Sequence, residues 1–95
     1  MEKIRVLLAE DHIVVREGIQ RLIQGEDDME VVGEAGDGEE AIHLVAQLEP
    51  DIVLMDIAMP KVNGIEATQR LKESHPFVGV LILTAYESEE FIFAS

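Results

Sequence analysis

The chain contains no cysteine, so it can have neither a disulfide framework nor a thiolate metal site. That absence fits a reducing compartment. Positive charge is scarce: 7 basic residues stand against 20 acidic ones, a formal net charge of −13. Direct contact between this chain and a nucleic-acid backbone is therefore disfavoured. A cation site or a basic protein partner suits the acidity better, while many of the carboxylates serve solubility alone. No hydrophobic run approaches the length of a membrane span. The start, Met1-Glu2-Lys3-Ile4-Arg5, lacks the long apolar stretch and small-residue cleavage site of a signal peptide. Repeats, low-complexity tracts and linkers are missing as well. These absences lead to the expectation of a soluble cytoplasmic protein with no membrane contact.

What is present is enough for one domain: 95 residues, 47% of them apolar. Three short apolar runs rich in β-branched residues stand out, Ile4 to Ala9, Ile52 to Ile57 and Val78 to Thr84, with a shorter fourth at Val31 to Ala35. Their lack of alternation is the pattern of strands covered on both faces in a parallel sheet. Between them, Ile13 to Gln24 carries Val15, Ile19, Leu22 and Ile23 at helical spacing, with Gly25 as a stop. Glu39 to Leu48 repeats the pattern with Ala41, Ile42, Val45 and Leu48 and closes at Pro50. Ile65 to Glu73 is a third helix, entered through the Asn63-Gly64 turn, and a fourth is expected from Ser88 onward. Alternating strands and helices predict an α/β, doubly wound parallel sheet with helices on both faces. Ligands in such sheets bind beyond the carboxyl ends of the strands, where the strand order reverses.

Chemistry-bearing residues collect at that edge. The first run ends in Glu10-Asp11, the second long run in Asp56, and the last in Thr84. Each alone has a plain reading: an acid after a strand is ordinarily a helix cap or a solvated loop residue, and a terminal threonine ordinarily satisfies a backbone group. Together they are far less ordinary. Ionised carboxylates a few ångströms apart repel, and a hard divalent cation relieves that repulsion. Magnesium is suited to few carboxylates, several waters and phosphate oxygens. The histidines His12, His43 and His75 show no ligand spacing, and His12 reads as a surface residue of the first helix.

The segments Leu7-Leu8-Ala9-Glu10-Asp11-His12, Pro50 to Gly64 (Pro-Asp-Ile-Val-Leu-Met-Asp-Ile-Ala-Met-Pro-Lys-Val-Asn-Gly) and Val80-Leu81-Ile82-Leu83-Thr84-Ala85 resemble a response-regulator receiver domain. Val31-Val32-Gly33-Glu34-Ala35 and the following Gly36-Asp37-Gly38 resemble its LuxR/NarL-type subfamily, whose output is a helix-turn-helix domain. The resemblance spans essentially the whole chain and implies a flavodoxin-like, CheY-like fold. It implies that Asp56 is the phosphoacceptor and a sensor histidine kinase the donor. Mg2+ would be held by Asp11, Asp56 and the Ala58 carbonyl, with Glu10 acting through water. Thr84 would bond the new phosphoryl group and couple it to a surface change. Ala58 and Tyr86 stand where the family controls access of hydrolytic water. The protein would be a signalling switch, not a turnover enzyme, acting on transcription through a DNA-binding domain outside this chain.

The pattern departs from the family toward its end. The family's fifth strand, with its lysine and switch aromatic, and its fifth helix have no counterpart, and neither Lys61 nor Lys72 replaces that lysine. Residues 1–95 thus read as a receiver domain incomplete at its carboxyl side, lacking the last strand and helix. The fourth strand would become an apolar edge, favouring a homodimer or a domain-swapped oligomer. Three other classes compete. A haloacid-dehalogenase-like phosphohydrolase needs a second Asp two residues after the nucleophile, where this chain has Ala58. An FMN binder of the same topology needs a small-residue phosphate loop after the first strand, where this chain has Glu10-Asp11-His12. A structural or engineered fragment that is not phosphorylated and self-associates is the remaining alternative.

Overall fold

The apolar runs become the strands of one sheet, and the amphipathic segments become the helices that cover it. The computed structural model describes residues 3–57, 63–85 and 91–94, with 83–85 and 91–94 described by backbone alone. In chain order the elements are β1 (Ile4–Ala9), α1 (Ile13–Gln24), β2 (Met29–Ala35), α2 (Gly38–Leu48), β3 (Ile52–Asp56), α3 (Gly64–Ser74), β4 (Gly79–Ala85) and β5 (Phe91–Ala94). The sheet order is β2-β1-β3-β4-β5. β1 pairs in parallel with both β2 and β3, and β3 in parallel with β4. Strand order therefore reverses between β1 and β3, which is where such a sheet opens a crevice at its carboxyl edge.

Both faces of β1 are closed. Leu7 and Ala9 join Val53, Met55 and Val80 in a core completed by Ala41 and Val45 of α2 and by Ala67 and Leu71 of α3. Val6 and Leu8 alternate to the opposite face and are equally buried. There α1 lies against β1 and β2, with Ile23 buried and Val15 and Ile19 half-buried. Leu22, expected on that face, is instead 74% exposed. The stripe that meets the sheet is Val15, Ile19 and Ile23, at i, i+4 and i+8, and Leu22 falls beside it.

The helix ends reflect local chemistry. Asp37 caps α2 by accepting from the Glu40 N–H at 2.8 Å, and the Glu40 carboxylate accepts from the Gly36 N–H at 2.8 Å. This reciprocal capping satisfies two otherwise unpaired donors. Glu49 closes α2 in the left-handed region at φ 49°, and Pro50 prevents continuation. Asn63 caps α3 by accepting from the Glu66 N–H at 2.9 Å, so the Asn63-Gly64 pair opens the helix directly. Among the described residues no helix is long and apolar enough to cross a membrane.

The last segment departs from expectation. Of the helix anticipated from Ser88, residues 88–90 and 95 lie outside the described residues. Phe91–Ala94 is a strand, pairing antiparallel with β4 in the register Ile82 with Ala94 through Ala85 with Phe91. Two physical preferences favour it. Phe91, Ile92 and Phe93 are strong strand formers, and β4 offers a row of backbone groups that a helix there would leave unpaired. β4 is consequently not the sheet edge that the sequence suggested.

Leu7 is fully buried at the centre of the sheet, whereas Phe77 is 99% exposed. Leu7→Ala is expected to cost about 2–5 kcal/mol of unfolding free energy, read from the denaturant midpoint. Phe77→Ala should change it by no more than about 0.5 kcal/mol.

Candidate metal centre at the carboxyl edge

Parallel pairing of β1 with β3 sets Ala9 opposite Met55, so the residues just past each strand emerge side by side. Glu10 is the first residue past β1, and its N–H donates to the Ala35 carbonyl at 3.0 Å. This holds the turn against the end of β2. The Glu10 side chain is only 5% exposed. Its Oε1 accepts from the His12 N–H at 3.0 Å and lies 2.7 Å from His12 Nδ1. Those two bonds offset the cost of burying a carboxylate.

Arg16, one turn into α1, fastens the same corner from outside. Its guanidinium donates to the Glu10 carbonyl at 3.1 Å and pairs with Glu34 at the end of β2 at 3.3 Å. Asp56 closes β3, and its backbone is fixed by α3. The Gly64 N–H donates to the Ile57 carbonyl at 2.9 Å. A Cβ on Gly64 would stand 2.1 Å from the Asp56 carbonyl oxygen. Only glycine permits that approach, so any side chain at position 64 would push Asp56 out of place.

Glu10, Asp11, His12 and Asp56 each present one ligand atom, and these atoms all lie within 4.8 Å of one another. Three of the four are carboxylates, and unit charges ~4 Å apart near a protein surface repel by about 4 kcal/mol. Asp11 Oδ1 is buried and receives no hydrogen bond. It lies 3.1 Å from His12 Nδ1, but the single proton on that nitrogen is taken up by the closer Glu10. A buried acceptor left in this state, among other acids, is matched to a cation. The donor set therefore fits a hard divalent ion.

The residues singled out from the sequence divide into three groups. Glu10, Asp11 and Asp56 come together. Thr84 sits in β4, one residue beyond Leu83, the register partner of Asp56, and so approaches the same edge by its backbone. Ala58, Lys61 and Tyr86 lie outside the described residues. His12 was missed as a member of the cluster. It is 66% exposed, as a surface residue should be, but it occupies the cap position of α1 and turns its ring inward onto Glu10. The readable signal was the contiguous Glu-Asp-His at a strand end, where an i, i+2 pair can share one turn. A shallow acidic groove lined by Asp37, Glu39, Glu40, His43, Leu44 and Gln47 shares no residue with the cluster.

Comparison with known proteins gives a consistent picture. The family model described as response regulator receiver domain matches residues 6–95. The transcriptional regulatory protein DegU of Brevibacillus brevis is 44% identical over 90 residues, covering 95% of this chain and 38% of that protein. A LuxR-family two-component response regulator from an Aurantimonas species has a similar structure, with a TM-score of 0.85 and 40% identity over 90% of this chain and 61% of that one. The receiver domain of the response regulator NarL from Mycobacterium tuberculosis has a TM-score of 0.84 and 34% identity, covering 92% of this chain and 70% of that one. The chain spans about two fifths of the length of the curated relatives it matches.

The hydrogen bond to Glu10, then the negative charges of Asp11 and Glu10, raise the His12 pKa above its ordinary value. The imidazolium thus steadies the folded state below the unfolded-state value of about 6.5, and that contribution fades as pH rises through the higher folded-state value. In an NMR titration His12 should titrate above about 6.5, and Glu10→Gln should bring it back toward that value.

Proposed function

This chain belongs to the response-regulator receiver family, and from that premise we propose that it accepts a phosphoryl group on Asp56 with Mg2+ bound at Glu10, Asp11 and Asp56. One observation carries the reading. Carboxylates from the ends of two adjacent parallel strands converge to within 4.8 Å, and a buried Asp11 oxygen among them receives no hydrogen bond. Few other arrangements justify so much negative charge at one point.

The residues supply the chemistry. An oxygen of the Asp56 carboxylate attacks the phosphorus of a phosphohistidine on a sensor kinase. The new O–P bond forms as the N–P bond breaks, and the histidine leaves with its electron pair. Magnesium, when bound, neutralises charge on the transferring group and holds it in line. Asp11 and Asp56 would hold the ion directly, together with the Ala58 carbonyl, with Glu10 acting through water. Gly64 keeps the Asp56 main chain fixed during the attack. Thr84, in the neighbouring strand β4, would donate a hydrogen bond to the new phosphoryl group and carry the change outward. Ala58 stands where a haloacid-dehalogenase-like phosphohydrolase would carry its general acid and base, which suits a switch that promotes only its own phosphorylation and dephosphorylation.

The output in this reading is transcription in the cytoplasm. Relatives of more than twice this length are transcriptional regulators, and the DNA contact would fall to a region outside this chain, given its charge of −13. Self-association as a homodimer or strand-exchanged oligomer belongs to the same proposal. The apolar β5 now carries the sheet edge beyond β4.

Incubation with acetyl phosphate and magnesium should add the mass of one phosphoryl group to the intact chain, and Asp56→Asn should abolish the gain. A chain shown to be folded by circular dichroism that gains nothing would contradict the proposal.

A further inference from the structure

Asn63 is the only asparagine in the chain, and a glycine follows it. Such a pair favours loss of the side-chain amide, because Gly64 has no Cβ to keep its nitrogen away from the Asn63 side chain. In that reaction the Gly64 backbone nitrogen gives up its proton to solvent hydroxide and attacks Asn63 Cγ. The new N–C bond closes a five-membered succinimide, and the side-chain nitrogen leaves as ammonia. Water then opens the ring at either carbonyl, giving aspartate or isoaspartate. Asn63 is exposed, so solvent reaches it. Gln24 also precedes a glycine, but its longer side chain has to close a six-membered ring and reacts more slowly.

The fold restrains both partners of this reaction. Asn63 Oδ1 accepts from the Glu66 N–H at 2.9 Å, which holds the amide against the end of α3. The Gly64 N–H donates to the Ile57 carbonyl at 2.9 Å, which retains the proton and fixes the peptide plane. Gly64 is itself buried, and its carbonyl accepts from Thr68 Oγ1 at 2.7 Å. Nitrogen and Cγ meet only when the first turn of α3 opens, so cyclisation follows the population of that opening. The two products differ in what they do to the corner. Aspartate keeps the chain length and caps α3 with a charge of favourable sign. Isoaspartate routes the main chain through the former side chain and adds one carbon, about 1.5 Å of chain. A Cβ on Gly64 would already stand 2.1 Å from the Asp56 carbonyl oxygen, so this corner has no room for added length. We propose that Asn63 is a covalent modification site: it deamidates through a succinimide with the Gly64 nitrogen, the first turn of α3 gates the reaction, and the isoaspartyl product displaces Gly64 from Asp56. The chain thereby carries a slow, irreversible mark of age at the corner that fixes the Asp56 main chain.

The purified chain is held in mildly alkaline buffer, folded and in urea, and Asn63 is followed by peptide mass mapping. Enzymatic methylation of isoaspartyl carboxylates counts that product separately. Conversion should be at least about tenfold slower in the folded chain than in urea. Converted chains, separated by their added negative charge, are then melted beside the wild type and Asn63→Asp. Their melting curve should contain a component at least about 4 °C below the wild type, in the proportion that methylation counts as isoaspartate. Asn63→Asp, which has the charge without the extra carbon, should melt within about 2 °C of the wild type. Absence of conversion at Asn63 in urea would overturn the site, and equal rates in buffer and urea would overturn the gate. A single transition shared by the converted chains and Asn63→Asp would overturn the displacement of Gly64. None of these readouts needs a cation or a phosphoryl donor, so the proposal fails or holds independently of the phosphorylation reading.

Discussion

The parallel pairing of β1 with β3 is the constraint on which the rest of the structure depends. It needs two strands that are apolar on both faces, so Leu7, Leu8, Val53 and Met55 must be buried together. It also forces the residues at the two strand ends into the same space. In this chain both strands run out into acidic residues, and the strength of the core sets how much repulsion the edge can hold. Three ionised groups at such distances oppose folding by several kcal/mol, a large fraction of the roughly 5–15 kcal/mol by which small domains are stable. Glu10, Asp11 and Asp56 are therefore costly residues to the fold.

Local devices share that load. The imidazole of His12 sits against two of the carboxylates, and Arg16 binds the Glu10 carbonyl while pairing with Glu34. These contacts all lie on the β1–α1 side of the cluster. The Asp56 main chain is governed instead by Gly64, whose backbone presses on the Asp56 carbonyl. The site is thus assembled by two independent corners, the β1–α1 turn and the β3–α3 crossing. A dication is the natural third party that joins them.

Much of this was legible in the amino-acid sequence, for physical reasons that differ from element to element. β1 and α1 fall where the apolar pattern put them, Ile4–Ala9 and Ile13–Gln24. A buried parallel strand and an amphipathic helix write unmistakable periods. α2 and α3 begin one residue early because their caps, Asp37 and Asn63, precede glycines that join the helix. β2 begins at Met29 because its pairing with Ile4 and Arg5 continues past the apolar core of the run. Phe91–Ala94 was expected within a helix running from Ser88 as the next element of the strand–helix alternation, whereas the backbone groups of β4 decide the matter through pairing that no local pattern encodes. Leu22 was assigned inward on spacing alone, yet the sheet accepts only the narrower stripe of α1. At the site, the acids were visible because strand ends are visible. The inward turn of His12 was not, since a side chain's direction at a cap depends on its neighbour's charge.

The central claim is that like charge crowded at the β1 and β3 ends is relieved by a divalent cation, and thermal unfolding tests it directly. The wild-type chain and Asp11→Asn are melted in a chelator and again in saturating magnesium. A ligand at 100 times its dissociation constant adds about 2.7 kcal/mol to the folded state. The account predicts that magnesium raises the wild-type midpoint by several degrees, that Asp11→Asn is the more stable chain without metal, and that magnesium then adds little to it. A wild-type midpoint indifferent to magnesium, with Asp11→Asn less stable in chelator, would contradict it.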